Sequence, residues 1–173
     1  RNTREIHKVV TAFHHDGEHL RCRGPVGRPA IIQYYGVTYP LPLLLGQILQ
    51  QLLGEEHVPN TDVAILTPRS LERTECKVGQ KLGSYVLVPD GPRHSNQIQV
   101  SSIHSFKGLE RKVIILVELD RGMYHDVDSV LYVGCSRART HLIILVDSTI
   151  KADLMRKLRE PSVSASDGAR SHG

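Results

Sequence analysis

Two short stretches of this chain gather the side chains that handle phosphate and ribose. Residues 101–110 read Ser-Ser-Ile-His-Ser-Phe-Lys-Gly-Leu-Glu, and residues 131–139 read Leu-Tyr-Val-Gly-Cys-Ser-Arg-Ala-Arg. Each block sits beside an apolar run. Between them they place His104, Lys107, Glu110 and Arg137 in two short turns. Cationic and hydrogen-bonding groups concentrated in this way suit an anionic, hydroxyl-bearing ligand. Nothing else in the chain sets polar chemistry so close to core-like strands.

A complete P-loop nucleotide hydrolase also needs Gly-x-x-x-x-Gly-Lys-Ser/Thr to cradle phosphates. This chain has no such run. Gly79 and Gly83 are too close together, and Lys107-Gly108 stands in reversed order. Residues 113–120 end on Asp120 and look superficially like a Walker B strand. With no phosphate loop before them, a core strand with a polar end is the preferred reading. The chain therefore cannot be a complete P-loop ATPase, although it can be the other half of one.

The elements that must hold these turns follow from periodicity. Residues 2–13 place Ile6, Val9, Val10 and Phe13 at helical spacing. Residues 14–29 read as loop, residues 30–35 as a strand and residues 41–53 as a helix with Pro40 and Pro42 near its first turn. Residues 62–66, 98–103, 112–119 and 142–146 read as strands, and residues 86–88 as a short one. Residues 127–139 and 150–159 read as helices, and the first of these carries Arg137. Residues 161–173 are rich in Ser, Gly and Ala and are expected to be disordered. Buried strands alternating with helices predict an α/β fold with a mainly parallel sheet, whose ligands sit at the carboxyl ends of the strands.

Composition agrees. The 173 residues are 40% hydrophobic but only 5% aromatic, with no Trp, so the core must be mostly Val, Ile and Leu. A formal net charge of +4 permits a nucleic-acid partner without demanding one. Three widely spaced cysteines, Cys22, Cys76 and Cys135, argue against a disulfide framework and for a reducing, cytoplasmic setting. No apolar run approaches the ~18 residues of a membrane span. His14, His15, His19 and Cys22 cluster in one loop but fit no standard zinc spacing, so a solvated loop is preferred and no metal is assigned. Cys135 reads as a small buried side chain. The chain begins on Arg1 without Met and is expected to be part of something longer.

At this point the motifs become specific. Ser102-Ile103-His104-Ser105-Phe106-Lys107-Gly108-Leu109-Glu110 resembles motif V of superfamily 1 helicases of the UvrD/Rep/PcrA type. Tyr132-Val133-Gly134-Cys135-Ser136-Arg137-Ala138-Arg139 resembles their motif VI. Arg1-Asn2-Thr3-Arg4-Glu5-Ile6 resembles the end of motif IV, and residues 63–68 resemble the strand between motifs IV and V. The resemblance implies the second RecA-like lobe of the motor over residues 1–148, followed by a C-terminal helix at 149–160. The interval from Ile6 to Ser102 implies that the large domain often inserted there is missing or reduced to a small loop.

The resemblance also implies roles. Arg137 matches the arginine finger that reaches the γ-phosphate across the lobe interface. Glu110 matches the carboxylate that meets the ribose, Gly108 the point of close backbone approach, and Arg1 a second phosphate contact. Ser102 and His104 match positions on the single-strand backbone, and Lys107 lies between the nucleotide and the strand. ATP with Mg2+ would be shared with a first RecA-like lobe, and single-stranded DNA would be the other partner. The isolated chain is expected to be inactive. Alternatives stand beside each role: a surface helix residue for Arg137, a cap or ion-pair partner for Glu110, a structural histidine for His104. Arg139 reads as structural or surface. The rival to the whole reading is a non-catalytic, nucleic-acid-binding or regulatory remnant of such a lobe.

Overall fold

The structure is a computed structural model that describes residues 28–122 and 127–159. The expected helix at 2–13, most of the loop at 14–29, the tail at 161–173, Arg1, and the cluster of His14, His15, His19 and Cys22 all lie outside the described residues.

Seven strands form one sheet: β1 Ile31–Tyr35, β2 Val63–Thr67, β3 Lys81–Leu82, β4 Tyr85–Val88, β5 Gln97–Ser102, β6 Arg111–Leu119 and β7 Ala138–Asp147. Their spatial order is β1-β7-β6-β2-β5-β4-β3. All neighbouring pairs are parallel except β3 with β4, which is antiparallel at the sheet edge. Strand β2 pairs with β5 on one side and with β6 on the other. The carboxyl ends of these three strands lie side by side, at the edge where α/β sheets commonly bind ligands.

The near-continuous apolar runs arise because this sheet is covered on both faces. In β6, Ile114 and Leu116 face one core while Val113, Ile115 and Val117 face the other. In β7 the same split separates Leu142, Ile144 and Val146 from Ile143 and Leu145. Helix α1, Leu41–Leu49, covers the second face with Leu41, Leu44, Leu45, Ile48 and Leu49. It starts at Pro40 with Pro42 in the first turn, where a missing N–H costs nothing. A π-helical turn over Gln50–Glu55 prolongs it. The element ends where His57 turns left-handed at φ 54, two residues before Pro59. Helices α2, Val127–Cys135, and α3, Lys151–Arg159, cover the first face with Leu131, Cys135 and Leu154. A Cβ on Gly134 would meet Leu116 side-chain carbons at 3.0 and 3.1 Å, so the glycine permits α2 to lie close on β6.

Three elements differ from expectation. The helix predicted over 127–139 stops at Cys135, and β7 starts at Ala138, earlier than the predicted 142. Arg137 is therefore on a turn and Arg139 on a strand. The Ser136 hydroxyl donates to the Val133 carbonyl at 2.7 Å and closes the helix, after which pairing with β6 takes the chain. Arg139 and Thr140 are exposed, and this masked the start of β7 in the sequence. Strand β3 was not foreseen, because two residues carry no periodicity. It forms through the tight Gly83-Ser84 connection to β4.

Candidate functional site

The motif V turn is built from the end of β5. The Ile103 N–H donates to the Thr67 carbonyl at 2.9 Å, which ties the turn to the end of β2. The Ser102 hydroxyl accepts from the Ser105 N–H at 3.0 Å and donates to the Ser105 hydroxyl at 2.8 Å. The Phe106 N–H donates to the Ser102 carbonyl at 3.0 Å, and its ring is wholly buried. With Phe106 as the plug, His104 and Lys107 are forced outward and are exposed. Gly108 follows at φ +84, a left-handed conformation that glycine adopts without strain, and it releases the chain toward β6.

Glu110 and Arg139 meet across the start of β6 and β7, with Oε2 and Nε 3.7 Å apart. Both side chains are about half exposed, at 45% and 58%, so this pair is weak and leaves the carboxylate free to accept other hydrogen bonds.

Arg137 sits in the turn between α2 and β7. It is only partly exposed, and its Nε is buried with no hydrogen-bond partner. A cleft of about 490 Å³ opens beside it. His104, Lys107 and Arg137 line this cleft together with the apolar Pro68, Ile103 and Val133. Three nitrogen-bearing side chains beside an apolar wall are groups suited to contact with an oxyanion. Of the expected site residues, His104, Lys107 and Arg137 converge on this one cleft. Ser102 lies beneath it, 7% exposed, with its hydroxyl already engaged in the turn. Gly108 and Glu110 lie further along the turn, beside Arg139 rather than on the cleft. Arg1 is outside the described residues.

Two residues at the site were not foreseen. Arg111 follows Glu110 and lies just before the expected strand at 112–119; the sequence assigned it no role. Its guanidinium donates to the Glu110 carbonyl and to the Gln99 side-chain oxygen, both at 2.9 Å, and lies 5.5 Å from the Phe106 ring centre. Glu118 lies within the apolar run of β6 and is 1% exposed. Its carboxylate accepts from the hydroxyls of Thr67 and Thr74, both at 2.5 Å, and from the Glu75 N–H at 2.7 Å. The signal for Glu118 was present: an acid inside a continuous apolar strand needs a partner. Asp120, the acid that drew attention in the sequence, is paired with Arg69.

Burial, reinforced by the charge of Glu118, pushes the Cys76 thiol up to about 12, and burial raises the Cys135 thiol further. Cys135 is fully buried, as its place in the motif implied. Both thiols are poor nucleophiles. Among the described residues no cluster of three or more His, Cys, Asp or Glu is placed to hold a metal ion. None of the described helices is long and apolar enough to cross a membrane.

Residues 97–145 match the UvrD-like helicase C-terminal domain. This stretch runs from β5 to β7 and contains both turns of the site. The resemblance drawn from motifs V and VI is borne out there. The chain is also similar in fold to the crystal structure of the C-terminal domain of a possible DNA helicase from Lactobacillus plantarum WCFS1. The TM-score is 0.57 at 19% sequence identity, over 85% of this chain and 86% of that one. No curated protein matches the chain. The expected mainly parallel α/β architecture and the match to residues 97–145 agree, and the matched segment carries all of the cleft's described lining except Pro68.

Proposed function

We propose that this UvrD-like domain is the second motor lobe of an ATP-dependent superfamily 1 DNA helicase or translocase. The observation that carries this reading is Arg137. Its partly buried guanidinium has a buried Nε with no partner and lines, together with His104 and Lys107, a cleft between α2 and the turn that follows β5. In this reading Arg137 is the arginine finger. A guanidinium held on a rigid turn can stabilise charge on a transferred phosphoryl group. Glu110 meets the ribose, Gly108 allows the close approach of the nucleotide, and Arg1 adds a second phosphate contact. His104 and Lys107, with Ser102 beneath them, form part of the track for single-stranded DNA.

The residues fit this substrate only in part. The chain offers cations for a γ-phosphate but has no Gly-x-x-x-x-Gly-Lys cradle. ATP with Mg2+ would be held mainly by a first RecA-like lobe, the other partner in this reading. Lobe closure would bring Arg137 to the phosphate, and reopening would move the lobes along the strand. The cytoplasm is the compartment that such a motor would occupy.

The test compares two proteins. The 173-residue chain should hydrolyse no ATP. A longer protein containing the first lobe should hydrolyse it, faster with single-stranded DNA. In that protein Arg137→Ala should lower kcat by roughly 10³-fold or more, with a much smaller change in ATP affinity. Near-normal turnover by the variant would remove Arg137 from the finger role. A longer protein that binds DNA without hydrolysis would favour the non-catalytic remnant.

A further inference from the structure

Glu118 is an anomaly in its strand. It lies next to the last residue of β6 at φ +60, a left-handed conformation that is uncommon for a residue other than glycine. The pairing of β6 with β7 steps from Leu116↔Ile144 to Leu119↔Val146, so β6 holds one extra residue there. Leu116 and Leu119 both point into the α2 core while Val117 points into the α1 core. The bulge takes Glu118 out of the alternation and turns its carboxylate toward the end of β2. Bulges beside functional sites commonly re-aim a side chain in this way.

The carboxylate then grips one loop at two points. Thr67 ends β2, and Thr74 and Glu75 lie at the far end of the loop that follows. Arg69, in the middle, sits 3.8 Å from the same carboxylate and pairs with Asp120. The gripped segment leads directly to the cleft. Pro68 is one wall, and the Thr67 carbonyl holds the Ile103 N–H immediately before His104. An apolar residue in a regular strand would serve the core at no such cost. A strained backbone and a buried charge persist where the surroundings over-determine them, and such strain clusters at functional sites.

We propose that Glu118 is a positioning residue for the cleft, fixing Thr67 and Pro68 so that the Ile103–His104 turn faces Arg137 at the spacing an oxyanion requires. This rests on the reading of the cleft as a phosphate site. Glu118 touches no ligand itself and acts through Thr67.

The experiment uses the 173-residue chain and two measurements, each made where every variant is folded. The first is hydrogen exchange at the Ile103 amide, with the core amide of Ile115 as reference. Glu118→Gln, or Thr67→Val if that variant does not fold, should speed exchange at Ile103 by about tenfold or more while leaving Ile115 unchanged. The second is binding of a fluorescein-labelled oligo(dT). Both variants should weaken it about tenfold, with an unchanged salt slope because every cation that lines the cleft is retained. Glu118→Gly should relieve the strained φ yet lose binding to the same degree, a split that a purely structural role would not give. The double variant Glu118→Gln with Thr67→Val should lose less than the sum of its parts. Unchanged Ile103 exchange in both single variants would overturn the proposal. So would normal oligo(dT) binding by a folded Glu118→Gln chain. If the unsubstituted chain binds no oligo(dT), the phosphate reading of the cleft fails, and with it the role given to Glu118, even where the exchange result shows that the bracket exists.

Discussion

The backbone N–H of Arg111 donates to the carbonyl oxygen of Arg137 at 3.1 Å. One hydrogen bond thus joins the two polar turns that stand almost thirty positions apart in the chain, and it is the first rung of the β6–β7 ladder. The Arg111 side chain works in the opposite direction, holding the Glu110 carbonyl and Gln99 beside the Phe106 ring. Arg111 is therefore the mechanical link between the turn that carries Lys107 and the turn that carries Arg137.

Removal of the Arg111 side chain should loosen the first turn without breaking the link to the second. Arg111→Ala leaves the backbone bond intact but strips partners from Glu110 and Gln99. We expect a loss of about 1–2 kcal/mol, read as a lower urea midpoint with an unchanged m-value. Arg111→Lys should recover only part of this, because an ammonium cannot reproduce the planar fork that reaches both acceptors. Equal stability of the lysine variant and the parent would show that charge alone matters at this position.

Gly108 separates backbone strain from packing. It sits at φ +84, and a Cβ built there meets nothing within 4 Å. Gly108→Ala should therefore cost about 1–2 kcal/mol through backbone conformation alone. Gly108→Asn should cost less, since Asn enters the left-handed region more readily. Gly134→Ala offers a contrast. Its Cβ would press on Leu116, so its cost depends on how far that side chain can move. Thermal unfolding of the three variants would rank them, and a neutral Gly108→Ala would mean that the turn adopts another conformation.

His141 gives a pH dependence whose sign can be worked out. Burial, with the Arg28 guanidinium nearby, holds its imidazole below the usual histidine range, and Glu56 opposes this only in part. The folded state therefore binds fewer protons than the unfolded state between the lowered pKa and the ordinary value near ~6.5. Stability is fullest above that ordinary value and falls as pH drops through the window. His141→Gln should shrink the difference between urea midpoints measured at about pH 7.5 and about pH 5.5. An unchanged difference would assign that pH dependence to other histidines.

The sheet was largely legible because its central strands are buried on both faces. Residues 112–119 and 142–146 left no ambiguity of period to resolve. The two turns were legible because their residue types are unusual beside such strands. What escaped depended on tertiary pairing. Arg137 looked helical because Val130, Leu131 and Gly134 carry a helical face up to it, and only pairing with β6 ends that helix at Cys135. Arg111 and Glu118 escaped because their partners, Gln99 and Thr67, lie on other strands and are invisible in local sequence. Asp120, the more conspicuous acid, proved to be an ion-pair partner at the strand end.

Lys107 and Ser102 should separate a charge on the proposed strand track from the scaffold beneath it. Lys107 is exposed on the cleft, whereas Ser102 is 7% exposed and spends its hydroxyl on Ser105. In oligo(dT) binding by the 173-residue chain, Lys107→Ala should lower affinity and reduce the slope of log affinity against log salt by about 0.7, the value for one phosphate contact on a single strand. His104→Ala should also weaken binding, because it removes a second side chain that lines the same cleft. Ser102→Ala should leave the slope untouched and lower the unfolding midpoint, since it removes the hydroxyl that accepts the Ser105 N–H at 3.0 Å. An unchanged slope for Lys107→Ala would take that residue off the track. A reduced slope for Ser102→Ala would mean that its loss displaces a charged contact elsewhere in the turn, and Lys107, five residues along, is the first to examine by combining the two substitutions.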